Sequence, residues 1–123
     1  MRILVIEDHP SNMKLVTRLL TKEGHEVLQA TDGGSGVETA IREMPDLILM
    51  DIQLPGIDGL TATRLLKEDE KTGRIPIIAL TAFAMKGDEQ RMLDAGCDGY
   101  ISKPIRYREF LDTVESFLKR EEG

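Results

Sequence analysis

Three unbroken apolar runs constrain this chain more than any other feature: Ile3-Leu4-Val5-Ile6, Leu47-Ile48-Leu49-Met50 and Ile77-Ile78-Ala79-Leu80. A strand with one wet face alternates apolar and polar residues, so runs of this kind suit strands covered on both faces, as in a parallel sheet. Glu26-Val27-Leu28-Gln29-Ala30 and Gly99-Tyr100-Ile101-Ser102 are weaker strand candidates. Helical patterns lie between the runs. Leu15, Val16, Leu19 and Leu20 form one stripe, with Gly24 placed to cap its C-terminal end. Val37, Ala40, Ile41 and Met44 recur at helical spacing and Pro45 stops them. Ile57, Leu60, Leu65 and Leu66 mark a third helix, and Phe110, Leu111, Val114, Phe117 and Leu118 give the clearest stripe. Lys86 to Ala95 is less well patterned, with Met92 and Leu93 as its apolar pair, and a helix there is weakly anchored.

Five strands alternating with five helices predict an α/β doubly wound sandwich, formed by one domain spanning residues 1–123. Right-handed crossovers put helices on both faces of the sheet, and the functional crevice of such folds lies beyond the carboxyl ends of the strands. Reactive residues therefore belong at strand ends. Glu7 and Asp8 follow the first run, Asp51 the third, Thr81 the fourth and Lys103 the last strand. One edge thus collects three carboxylates, a hydroxyl and an ammonium.

Converging carboxylates repel one another and raise their pKa values unless a cation intervenes. Their charge of −3, with +1 from Lys103, leaves −2, which a divalent ion neutralises. Mg²⁺ suits an all-oxygen site, with Mn²⁺ as a substitute, and the chain has no His or Cys cluster for zinc or copper. An ionised Asp is a competent nucleophile toward phosphorus. Such a transfer needs neutralisation of the phosphoryl oxygens and in-line positioning more than acid–base chemistry. Mg²⁺ and Lys103 suit the first need, and Thr81 offers a donor to the product phosphate.

Composition narrows the partners. A net charge of −6 works against direct nucleic-acid binding, which relies on Lys and Arg against phosphates. No apolar run approaches the roughly 20 residues that span a bilayer. The first apolar run meets Glu7-Asp8 too soon for a signal peptide, so a cytoplasmic location without membrane attachment is expected. The single cysteine, Cys97, excludes an internal disulfide and a cysteine-based zinc site.

Glu7-Asp8, Asp51 within Leu49-Met50-Asp51-Ile52-Gln53-Leu54-Pro55-Gly56-Ile57-Asp58-Gly59, Thr81-Ala82 and Lys103-Pro104 together resemble bacterial response-regulator receiver domains, over essentially the whole chain. The resemblance implies a (βα)₅ flavodoxin-like fold with parallel strand order 2-1-3-4-5. It implies phosphorylation of Asp51 by a histidine kinase or histidine phosphotransfer protein that carries the phosphohistidine. It also implies Mg²⁺ held by Asp8, Asp51 and the Gln53 backbone carbonyl, with Glu7 acting through a metal-bound water. Many relatives carry Asp at the Glu7 position. Thr81 and Tyr100 become switch residues, Lys103 pairs with Asp51 or its phosphate, and Lys103-Pro104 is expected to be cis. The signal leaves through the surface of the fourth helix, fifth strand and fifth helix to a downstream protein, from a monomer or weak dimer. Autophosphorylation from small acyl phosphates and autodephosphorylation go with the family. A sequence that stops after the fifth helix reads as a stand-alone regulator or as a receiver excised from a larger hybrid protein.

Competing readings attach to single features. Gly33-Gly34-Ser35-Gly36 lacks the lysine of a P-loop and reads as a flexible lead-in to a helix. Asp51-Ile52-Gln53 is not the D-x-D of haloacid-dehalogenase-type phosphatases, which weakens a small phosphatase as the alternative. A degenerate, phosphorylation-independent interaction module is the other. His9 and His25 are not expected to bind metal, and Cys97 is expected to be buried. Phe83 and Met85, with Ala82 and Ala84, either pack or form an exposed docking patch.

Overall fold

The computed structural model describes residues 1–82 and 86–122. Strands β1 (Arg2–Ile6), β2 (Glu26–Ala30), β3 (Leu47–Asp51), β4 (Ile77–Thr81) and β5 (Gly99–Ser102) alternate with helices α1 (Pro10–Lys22), α2 (Gly33–Glu43), α3 (Gly59–Glu68), α4 (Lys86–Ala95) and α5 (Tyr107–Glu122). All pairings are parallel and the sheet order is β2-β1-β3-β4-β5. The Phe83-Ala84-Met85 patch considered above lies outside the described residues.

The apolar runs feed both faces of the sheet, as side-chain alternation along a strand requires. Ile3, Val5, Leu47, Leu49, Ile78, Leu80 and Ile101 pack against α1 and α5 through Val16, Leu20, Phe110, Val114 and Leu118. On the opposite face Leu4, Ile6, Ile48, Met50 and Ile77 meet Ala40, Ala62 and Leu66 of α2 and α3. A smaller cluster of Leu60, Ala79, Met92, Ala95 and Cys97 seats α4. The apolar runs of the central strands are completely buried, which is why they show no polar alternation.

Helix stripes depart from expectation in four places. Leu15, Ile41, Met44 and Leu65 are exposed, because helices packed on a flat sheet bury a narrower arc than their apolar residues cover. Met13 takes the core position beside Val16. Met44 sits beyond α2 in the left-handed region, with a φ of 48°. Only Met92 of the α4 apolar pair is buried, and Leu93 is exposed.

Gly33-Gly34-Ser35-Gly36 is not a loose lead-in. Asp32 caps α2 by accepting from the Ser35 amide at 2.8 Å, and the glycines bring the helix down tightly. A Cβ on Gly36 would lie 2.5 Å from Ile6 Cδ1, and one on Gly33 2.6 Å from the Ile57 carbonyl oxygen. Gly24, with a φ of +88°, turns the chain out of α1 toward β2.

Candidate phosphoacceptor site

The carboxyl ends of β1, β3, β4 and β5 meet at one edge of the sheet, as parallel register demands. Ile6 pairs with Met50, Asp51 with Leu80 and Thr81 with Ser102. Those pairings bring Glu7, Asp51, Thr81 and Lys103 together from positions far apart in the chain. The Lys103 amide donates to the Thr81 carbonyl at 2.7 Å and extends the β4–β5 pairing by one step. The Lys103–Pro104 peptide is cis.

Glu7, Asp51 and Thr81 are buried. Lys103 Nζ lies 3.1 Å from Glu7 Oε1 and 3.2 Å from Asp51 Oδ1. Asp51 Oδ1 also accepts from the Gln53 amide at 3.0 Å. Glu7 Oε2 accepts from the His9 amide at 3.1 Å, which aims the carboxyl inward as the chain enters α1. Among the described residues, Asp51 Oδ2 and Glu7 Oε1 are shut off from solvent without a hydrogen-bond donor while both carboxyls are ionised, and Glu7 Oε1 is ion-paired with the Lys103 ammonium. One acidic oxygen from each of Glu7, Asp8 and Asp51 falls within a 4.8 Å span.

Two acceptors facing each other need a proton or a cation between them. Without a metal, burial and the neighbouring Glu7 carboxyl push Asp51 up to about 7, against the pull of the Gln53 amide and Lys103. Burial pushes Glu7 upward too, but its bond to Asp51, the His9 amide and Lys103 together hold it below the usual carboxylate range. The pair therefore binds a proton more readily than a solvated carboxylate does. A hard divalent cation at the two orphaned oxygens and Asp8 would displace it, so the donor set fits Mg²⁺.

Gly59, to which the sequence reading assigned no role, is indispensable to this arrangement. A Cβ there would lie 2.1 Å from the Asp51 carbonyl oxygen and 2.8 Å from Ile52 Cα. Asp58 caps α3 by accepting from the Thr61 amide at 2.8 Å, and the Gly59 amide donates to the Ile52 carbonyl at 3.0 Å. The Asp58-Gly59 pair carried the signal: a cap followed by the residue that tolerates close backbone approach.

The other sequence candidates fall away from the site. His9 precedes α1 and contributes its amide. His25 Nε2 contacts Glu115 Oε1 at 3.2 Å, far along the chain on α5. Cys97 is buried, with its Sγ 4.0 Å from Thr63 Oγ1. Tyr100 is partly exposed and donates its hydroxyl to Glu89 of α4. Beside the site, a groove of about 790 Å³ runs between α1 and β2 from Glu7 and Asp8 past Met13, Thr17 and Gln29, flanked by Lys14, Arg18 and Lys22.

A parallel sheet of this order with an acidic pocket and a lysine at its carboxyl edge is the architecture of a two-component receiver domain. The chain belongs to the response regulator receiver domain family, whose model matches residues 3–115. Among curated proteins it is similar to the polar-differentiation response regulator DivK of Brucella ovis, with 47% identity over 116 residues and 94% of each chain covered. Among solved structures it is similar to the receiver domain of a sensor histidine kinase from Pseudomonas aeruginosa PAO1, which has a magnesium ion coordinated in its active-site cleft. That match has a TM-score of 0.90 at 38% identity and covers 96% of this chain and 97% of the other. The BeF₃-activated N-terminal receiver domain of Klebsiella pneumoniae RstA matches with a TM-score of 0.86 at 32% identity, over 96% and 98% of the two chains. Among the described residues no helix is long and apolar enough to cross a membrane.

Proposed function

We propose that residues 1–123 form one receiver domain that accepts a phosphoryl group on Asp51 from the phosphohistidine of a histidine kinase or histidine phosphotransfer protein. The observation that carries this reading is the pairing of Lys103 with both Glu7 and Asp51 beside a buried Asp51 oxygen that has no hydrogen-bond partner among the described residues. Buried carboxylate oxygens without a hydrogen-bond partner suit a site that takes up an ion or a phosphoryl group.

In the transfer, a carboxylate oxygen of Asp51 forms a bond to phosphorus while the phosphorus–nitrogen bond breaks. The imidazole keeps that electron pair and later takes a proton from solvent. The Gln53 amide and Lys103 orient Asp51, and Lys103 stays to balance the added charge. Asp8, Asp51 and the Gln53 carbonyl would hold Mg²⁺ (or Mn²⁺), with Glu7 acting through a water. Mg²⁺ supplies charge neutralisation for the phosphoryl oxygens. Thr81 donates to the new phosphate, and Tyr100 turns inward behind it.

The signal then leaves as a shift between two states of the α4–β5–α5 surface, read by a downstream protein. The groove beside α1 gives a macromolecular donor a cationic flank contiguous with the site. The domain acts in the cytoplasm as a monomer or weak dimer. It takes phosphate from small acyl phosphates as well, and loses it by its own hydrolysis.

Intact-mass spectrometry after incubation with acetyl phosphate tests this reading. A phosphoryl adduct that requires Mg²⁺ and is absent from Asp51→Asn is expected. Absence of any adduct, with partner binding indifferent to Asp51→Asn, would establish a phosphorylation-independent interaction module instead. Turnover of phosphate esters without an adduct would establish a phosphatase.

A further inference from the structure

The edge strand β5 presents its residues alternately to the two faces. Ile101 packs with Phe110 on the α1–α5 side. Tyr100 pairs with Ala79 and Ser102 with Thr81, so Tyr100 lies on the α4 side, the face that carries the Thr81 side chain. The phenol remains 39% exposed, so burial alone does not fix its direction. Its hydroxyl instead donates to Glu89 Oε1.

Glu89 stands in the first turn of α4, where the helix dipole favours a carboxylate. A hydrogen bond to an ionised acceptor is roughly twice as strong as one between neutral groups. It also draws the phenol's pKa upward, because ionisation would set two negative charges together. The helix that carries this acceptor is lightly held: Met92 and Ala95 are its buried apolar residues and Leu93 faces solvent. Inward of Tyr100, its β4 neighbour is the small Ala79, and a cleft of about 230 Å³ lined by Thr81, Leu60, Asp88 and Met92 opens on the same face of the sheet. Turning the ring toward that space breaks its bond to Glu89.

We infer that Glu89 is a positioning residue of the switch: its carboxylate latches Tyr100 outward and so opposes phosphoryl acceptance at Asp51. This rests on the receiver reading above, and it assigns the resting bias of the domain to one side-chain pair. Coupling between two sites is reciprocal. If phosphorylation draws Tyr100 inward, loss of the latch must raise the affinity for a phosphoryl mimic by the same factor. Apparent affinity scales with the fraction of molecules in the competent state.

The test uses the full chain with Mg²⁺ and beryllofluoride, titrated into wild type, Glu89→Ala, Glu89→Gln, Tyr100→Phe and the Glu89→Ala/Tyr100→Phe double variant. Removing one charge-assisted hydrogen bond is expected to tighten beryllofluoride binding about 3- to 10-fold in Glu89→Ala. Glu89→Gln keeps a neutral acceptor and should fall between Glu89→Ala and wild type. Tyr100→Phe, which lacks the hydroxyl, should leave Glu89→Ala without further effect. An unchanged affinity in Glu89→Ala, or an equal gain when Tyr100 is already Phe, would overturn the latch.

A second readout does not depend on phosphoryl chemistry. In Mg²⁺-free protein with ¹³C-labelled tyrosine, side-chain couplings should show one Tyr100 rotamer in wild type and averaging in Glu89→Ala. A single outward rotamer in both would refute the latch even if wild type failed to bind beryllofluoride. That binding failure would count against the receiver reading itself.

Discussion

Replacing Asp51 with Asn should stabilise the metal-free protein at alkaline pH and have a much smaller effect at pH 5. Asp51 stands at about 7 in the folded chain because burial and Glu7 disfavour its ionised form; an unfolded Asp titrates at about 3.9. Since the folded state binds this proton more tightly, the group's favourable contribution is present below about pH 4 and is lost as pH rises through about 7. That loss amounts to a few kcal/mol at most and falls mainly above about pH 5. Glu7 adds little slope there, because its depressed value leaves it ionised throughout that range. Asn matches Asp in shape, keeps an acceptor for the Gln53 amide and carries no charge, so the variant escapes this loss. Urea unfolding followed by far-ultraviolet circular dichroism, in EDTA at pH 5 and pH 8, should show the variant gaining roughly 2 kcal/mol on wild type between the two conditions. Millimolar Mg²⁺ should narrow the difference at pH 8, because it binds the folded wild-type site selectively. A difference independent of pH, or a variant less stable than wild type at pH 8 in EDTA, would refute the shared-proton account.

Two further outcomes follow from close contacts. Gly59→Ala drives a methyl into the Asp51 carbonyl, at 2.1 Å before relaxation. It should cost about 1–3 kcal/mol in urea midpoint through overpacking and abolish Mg²⁺-dependent phosphorylation at concentrations where the variant is still folded. Asp98 Oδ2 accepts from the Ile77 amide at 2.8 Å and from Lys67 Nζ at 2.9 Å, tying the start of β4 to α3. Asp98→Ala should cost about 1–3 kcal/mol by leaving that amide unsatisfied, while apparent Mg²⁺ affinity in calorimetric titration stays within about two-fold of wild type.

Legibility in the sequence followed the range of the interactions involved. The strands were readable because Ile3 to Ile6, Leu47 to Met50 and Ile77 to Leu80 are buried on both faces and tolerate no polar residue. Asp51, Glu7, Thr81 and Lys103 were readable as a group because parallel strands end together, so residues just past strand ends are neighbours. Leu15, Ile41 and Leu65 misled, since hydrophobicity marks what a helix can bury and not the arc a neighbour covers. Gly36 and Gly59 were underread for a related reason: a glycine records absent volume, and which backbone or side chain fills that volume is set by elements remote in sequence.

The sequence by itself determined the order and type of the ten elements, the acidic edge and its lysine. These depend on local pattern and on the parity of strands, both of which are written residue by residue. Only the tertiary structure decided that Asp51 and Glu7 would be sealed from solvent with an orphaned oxygen each, and that Tyr100 would meet Glu89 rather than the core. Burial and side-chain direction at those positions are sums over several packed elements, so no single stretch of chain encodes them.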